Sequence, residues 1–170
     1  MMRLYLMRHA EAAAAGTPGV PTDAARPLTE DGRLHVRRAA EGLARLKLNI
    51  GAIVSSPLLR AQQTAQEAAG ALKVRSPMRE WPELRPSADP QDALHRLAEF
   101  NGTSAVLFVG HEPHLSAWIA LLTSDGSLRC LMKKGAVACV EIDHAPPAAG
   151  SGLLRWLVSA KHLGHIGKGA

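Results

Sequence analysis

A chain of 170 residues fits one domain and can bury enough apolar surface to fold without disulfides or a structural metal. Hydrophobic residues at 46% and charged residues at 21% are ordinary globular usage, while 4% aromatic content leaves little to stack on exposed bases, so no nucleic-acid partner is expected. A formal charge of +5 and a pI near 9.7 favour anionic ligands without choosing among phosphoproteins, phosphometabolites and nucleic acid.

In chain order, Leu4 to Met7 reads as a first strand. Arg8, His9 and Glu11 interrupt this apolar run before it reaches signal-peptide length. No stretch is long and apolar enough to span a bilayer, so a cytoplasmic protein without a membrane partner is expected. Ala12 to Pro27, rich in Ala, Gly, Pro and Thr, has no periodicity and reads as a loop. Thr29 is a candidate N-cap for an amphipathic helix whose apolar face carries Val36, Ala39, Ala40, Leu43 and Leu46.

Ile53 to Ser55 gives the second strand, and Ser56-Pro57 offers an N-cap followed by proline at the first turn of a helix reaching Leu72. A third helix is expected from Asp89-Pro90 to Phe100, with Leu94, Leu97 and Ala98 as its apolar stripe. Val106 to Val109 forms a strand, and Pro113 opens another helix. Val137 to Ile142 and Leu154 to Val158 read as strands joined by a hairpin over Pro146 to Gly152.

The alternation predicts an α/β fold: a single domain over 1–163 with a mostly parallel central sheet, helices on both faces and an antiparallel edge hairpin, followed by a flexible tail over 164–170. Cys130 and Cys139 lie in no metal-ligand or Cys-x-x-Cys spacing and read as free thiols. Lys133-Lys134 reads as a solvated turn, and Arg33, Arg37 and Arg38 as a solvated helix face. His162 and His165 read as tail residues, and Trp81, Trp118 and Trp156 as packing groups.

In an open parallel sheet, ligands gather beyond the carboxyl ends of the strands. Three such ends carry residues suited to phosphate: Arg8-His9-Ala10-Glu11, Ser55-Ser56-Pro57-Leu58-Leu59-Arg60 and Gly110-His111-Glu112-Pro113. Phosphoryl transfer needs charge neutralisation around equatorial oxygens, an in-line nucleophile and a proton source for the leaving group. Arginine supplies a planar, permanently charged fork for the first task. Neighbouring cations lower an imidazole pKa, which keeps a histidine neutral and nucleophilic.

On these residues the chain resembles the histidine phosphatase superfamily and, within it, the SixA-type protein phosphohistidine phosphatases. Arg8-His9-Ala10 is similar to the Arg-His-Gly signature, with alanine where glycine is usual. Arg26-Pro27-Leu28-Thr29 with Gly32, then Ser56-Pro57 through Arg60-Ala61 with Gln63-Thr64-Ala65, match the next two blocks. Val109-Gly110-His111 with Pro113 and Leu115-Ser116 match the following one, while Lys134-Gly135-Ala136 and Leu154 to Leu157 echo the late strands. Glu112 and His114 flank Pro113 where smaller or amide residues are common.

The resemblance implies a phosphoglycerate mutase-like fold, His9 as the phosphorylated nucleophile, and Arg8, Arg60 and His111 holding the phosphoryl group without metal or cofactor. Glu83, in Trp81-Pro82-Glu83-Leu84, is the first choice for general acid, Glu112 the second and Glu11 the third, the last two also bordering the substrate. The expected substrate is phosphohistidine on a protein partner, because a chain without long insertions leaves its pocket open. The rival readings are a phosphatase or mutase of small phosphorylated metabolites on the same fold and a non-catalytic phosphate-binding module, and the oligomeric state stays open.

Overall fold

The computed structural model describes residues 1–168. A six-stranded sheet has the order β3-β2-β4-β1-β5-β6, formed by β1 (Met2–Arg8), β2 (Ala52–Ser55), β3 (Arg79–Glu80), β4 (Ala105–Gly110), β5 (Val137–Ile142) and β6 (Leu153–Val158). The first four strands pair in parallel, whereas β5 is antiparallel to both β1 and β6. The mostly parallel sheet with an antiparallel edge hairpin is therefore present.

The helices are α1 (Glu30–Arg45), α2 (Leu59–Leu72), α3 (Pro90–Arg96), α4 (His114–Thr123) and α5 (Ala160–Lys168). β1 shows why both sheet faces need a helical cover. Leu4 and Leu6 point into a core shared with Leu94, Leu97, Leu115 and Trp118, while Tyr5 and Met7 point into a second core with Val36, Leu43, Ala65 and Leu163. A strand buried on both sides must be apolar throughout, which is why Leu4 to Met7 reads as a continuous run. In the first core, Phe108 meets Trp118 edge to face with ring centroids 5.1 Å apart, a geometry worth about 0.5–1.5 kcal/mol beyond area burial.

Thr29 caps α1 as expected, its hydroxyl accepting from the Gly32 amide at 3.0 Å. The cap assigned to Ser56 is a correction: α2 begins at Leu59, Leu58 holds the N-cap position, and the Ser56 hydroxyl faces His111. The expected third helix is α3, continued as a 3-10 turn over Leu97–Phe100. β3 was not legible, being two exposed residues added to the edge of β2.

The tail expected from Gly164 is also corrected, since α5 runs to Lys168. Leu163 is buried, and α5 lies so close to α1 that a Cβ on Gly42 would sit 2.0 Å from the Leu163 carbonyl oxygen. The last two residues of the expected tail lie outside the described residues.

Two features of the connections locate the site. β1 and β4 are adjacent and parallel, with Arg8 beside Gly110. From β1 the chain leaves through α1 toward β2, and from β4 it leaves through α4 toward β5, on the opposite side of the sheet. This topological switch point opens a crevice at the carboxyl ends of the two strands.

Candidate active site

His9 follows the last residue of β1, and its amide is held by the Gly110 carbonyl at 3.0 Å. Its ring lies beside that of His111, which follows β4, with centroids 4.9 Å apart. Both rings are buried, His9 at 8% exposure and His111 at 1%.

The partners of the His9 ring fix its tautomer. Nδ1 lies 2.6 Å from the Ala10 carbonyl oxygen, which only accepts, so Nδ1 carries the proton. Nε2 receives the Nε–H of Arg60 at 3.3 Å, so Nε2 keeps its lone pair. Burial pushes the His9 pKa down to about 4, and the charges of Arg60, Arg8 and Lys134 act in the same direction against the Ala10 carbonyl. The cationic influence expected from the sequence is present, with desolvation the larger cause.

His111 is pushed down to about 3 by burial, then by His9 and Arg60. Its Nε2 lies 2.9 Å from the Ser56 hydroxyl, and its Nδ1 is buried without a partner among the described residues. A buried ring nitrogen is costly to leave unpaired.

Arg60 sits in the first turn of α2 with 5% exposure, and three contacts set its guanidinium. Besides His9, it donates through Nη1 to the Asp23 carbonyl at 2.8 Å and through Nη2 to the Asp23 carboxylate at 3.1 Å. Arg8, half-buried, donates through Nη1 to the Met132 carbonyl at 2.7 Å, and its Nε is buried without a partner among the described residues. Thr64, one turn beyond Arg60, donates to the Arg60 carbonyl at 2.7 Å and accepts the Ala10 amide at 3.2 Å, tying α2 to the His9 segment. Ala10 is 2% exposed and packs in the core, and it is not among the described non-glycine residues with positive φ, which are Lys47 and Lys73. Alanine therefore fits where the signature has glycine.

The structure brings Arg60 and His111 to His9 and sets Arg8 beside it, but it treats the three carboxylates differently. Glu83 lies in a 3-10 turn, Pro82–Leu84, whose preceding residue Trp81 donates its amide to the Ser55 carbonyl at the end of β2. Its carboxylate accepts from Arg96 Nη1 at 2.7 Å. Glu112 follows His111 and accepts from the Ser116 hydroxyl at 2.5 Å, its Oε1 being buried without a partner among the described residues. Glu11 is exposed and pairs with Lys134 at 3.3 Å.

Sequence reasoning missed Asp23 because it lies 37 positions before Arg60 in a stretch without periodicity. It also missed the roles of Ser56 and Thr64. Thr64 carried a local signal: a hydroxyl four residues after Arg60 on a helix can reach back to the Arg60 carbonyl.

A neutral imidazole with a free lone pair, bordered by guanidinium groups at a switch point, suits phosphoryl transfer, where the protein supplies positioning and charge neutralisation. Comparison with known proteins agrees. The family model of the histidine phosphatase superfamily (branch 1) matches residues 4–86. Phosphohistidine phosphatase SixA of Escherichia coli (strain K12) is 30% identical over 95% of this chain and 96% of its own length. The solved structure of the protein histidine phosphatase SixA complexed with tungstate superposes with a TM-score of 0.84 at 31% identity, covering 95% of this chain and 99% of that one. The crystal structure of the putative phosphohistidine phosphatase SixA from Agrobacterium tumefaciens shares the fold at a TM-score of 0.77 and 24% identity, over 93% of this chain and 97% of that one.

The chain belongs to the histidine phosphatase superfamily, and it is a phosphatase of that type.

Proposed function

We propose that this phosphatase removes the phosphoryl group from phosphohistidine on a protein partner, through a covalent intermediate on His9. The observation that carries the reading is the state of His9 Nε2: unprotonated, buried and directed at Arg60. The likeness to phosphohistidine phosphatase SixA supports the substrate class. The tungstate bound by a SixA structure is a tetrahedral oxyanion of phosphate-like shape, in keeping with a phosphoryl pocket.

In the first step His9 Nε2 attacks phosphorus in line, and an N–P bond forms as the bond to the leaving imidazole breaks. The departing ring, already protonated by solvent on its other nitrogen, keeps the electron pair of the broken bond and leaves as neutral imidazole. In the second step water attacks phosphorus, the His9 N–P bond breaks and returns its pair to Nε2, and inorganic phosphate carries the water's oxygen away. The water's proton passes to phosphate or solvent.

Arg60 and Arg8 neutralise the equatorial oxygens. With the Ser56 hydroxyl donating to Nε2, His111 is the Nδ1–H tautomer, and its orphaned donor finds a phosphoryl oxygen. Glu83 is the proposed proton donor for leaving groups poorer than imidazole, ahead of Glu112 and Glu11, because its turn sits at the end of β2. No step calls on a metal ion or a cofactor.

The test is a substrate screen with the wild type, His9→Ala, Glu83→Gln and Glu112→Gln. Wild type should prefer a phosphohistidine protein or peptide over sugar phosphates, phosphoglycerate and nucleotides. His9→Ala should abolish turnover and keep the fold, and Glu83→Gln should slow alkyl phosphates far more than phosphohistidine. Preference for a small metabolite would favour the rival substrate class, and near-wild-type activity in His9→Ala would sink the mechanism.

A further inference from the structure

Beside the segment that follows His9 lies a cleft of about 410 Å³ between α1, α5 and the turn before β5. Its small lining residues are Ala10, Gly135, Ala160 and Gly164. On α5 the cleft is bordered by Lys161, His165 and Lys168, and on α1 by His35 and Arg38. Lys134 completes the rim, and the single carboxylate present, Glu11, is already paired with Lys134. Four permanent cations thus face one anion, and among the described residues neither Arg38 nor Lys161 has a carboxylate partner.

The close approach of the helices explains this arrangement. Glycines at 42, 164 and 167 let α5 lie against α1: a Cβ on Gly167 would come within 2.9 Å of the Arg38 carbonyl, and one on Gly164 would touch the Arg38 side chain at 3.5 Å. Packing the apolar stripe of α5 inward turns positions 161, 165 and 168, spaced i, i+4 and i+7, onto one outward line. A solvated charged face would be the default reading for one helix. Here two helices and a turn converge on a concave surface beside the segment that carries His9. Ala10 lines the cleft while its carbonyl holds the His9 ring, and Lys134 on the rim acts electrostatically on His9.

We infer that this cleft docks an acidic segment flanking the phosphohistidine of the substrate protein, an inference that rests on the substrate class proposed above. Lys161 to Lys168 spans about 10 Å along α5 at 1.5 Å per residue, the reach of about three extended residues. The favoured substrate therefore carries a run of about three residues rich in Asp or Glu beside its phosphohistidine. The cleft is less suited to nucleic acid, because no Phe, Trp or Tyr lines it to stack on a base.

The test uses two phosphohistidine peptides that differ only in acidic or neutral residues two to four positions from the phosphohistidine, with wild type and K161E/K168E. Both lysines are solvent-facing, and circular dichroism of the variant checks its fold. Wild type should show a KM for the acidic peptide lower than for the neutral one by about tenfold, a gap that closes in high salt. K161E/K168E should lose that gap with little change in kcat or in turnover of the neutral peptide, and should instead favour a lysine-bearing peptide. Binding of the unphosphorylated acidic peptide, read by fluorescence anisotropy, should be weakened by the same charge reversal. Failure of the wild type to hydrolyse either phosphopeptide with this binding difference intact would count against the substrate class alone. Equal KM values for both peptides in wild type and variant, or a single-stranded RNA oligonucleotide that displaces the acidic peptide from wild type and binds more tightly, would overturn the docking assignment.

Discussion

The carbonyl of Ala10 and the guanidinium of Arg60 decide which nitrogen of His9 keeps its lone pair, and Arg60 is the residue on which that arrangement turns. In the proposed mechanism Arg60→Ala removes a charge-assisted donor from the transferring group, and it should lower kcat/KM by about 100-fold or more. Arg60→Lys should recover only part of this, since an ammonium cannot hold His9 and both Asp23 oxygens at once. Unchanged kcat/KM in Arg60→Ala would place this residue outside the chemistry. The depressed pKa values carry a stability consequence with a definite sign. An imidazole held below its ordinary value of 6.5 binds fewer protons in the folded state, so stability falls as pH drops below 6.5 and the loss continues to about pH 4 for His9 and about 3 for His111. The slope approaches about 1.4 kcal/mol per pH unit for each ring. Denaturant unfolding at pH 7 and pH 5 should show this loss, and replacing His111 with glutamine should flatten it. A pH-independent stability over that range would contradict the neutral, buried assignment.

At the scale of elements, three glycines in helices separate close packing from chance. A Cβ on Gly32 would sit 2.2 Å from the Glu11 carbonyl oxygen, and one on Gly42 2.0 Å from that of Leu163, both rigid backbone atoms. Gly32→Ala should therefore push α1 away from the His9 segment and lower both activity and stability, by about 1–3 kcal/mol. Gly42→Ala should lower stability by a similar amount by displacing α5. Gly70 in α2 has nothing within 4 Å of an added Cβ, and Gly70→Ala should be neutral or stabilising by about 0.5–1 kcal/mol. Thermal denaturation of the three variants checks the contrast, and equal melting temperatures would refute it. The same elements show what the sequence discloses. Doubly buried strands such as β1 and β4 appear as apolar runs, and α1 appears through its stripe and its Thr29 cap. β3 leaves no trace because its two residues are exposed, and the half of α5 from Gly164 onward reads as tail because its few apolar positions gain meaning only against α1.

For the whole molecule, three separate strand ends pointed to one pocket, and Arg8, His9, Arg60 and His111 were legible because each directly follows, ends or opens a regular element. The residues that hold them in place were not. Asp23 reaches Arg60 from a single 3-10 turn, Asp23–Ala25, inside a stretch without periodicity, and Met132 offers a backbone carbonyl that carries no side-chain signature. Long-range contacts of this kind exist only once β1 and β4 lie side by side and their connections part to opposite faces of the sheet. The central claim is that this switch point presents His9 Nε2 as a nucleophile. Rapid quenching of the wild type with phosphoryl-labelled phosphohistidine peptide, followed by mapping of the labelled fragment, tests it most directly. The label should appear as an acid-labile, base-stable adduct on His9 and be absent from His9→Ala. A wild type that turns over substrate while the label never resides on His9, or resides on another residue, would contradict the account.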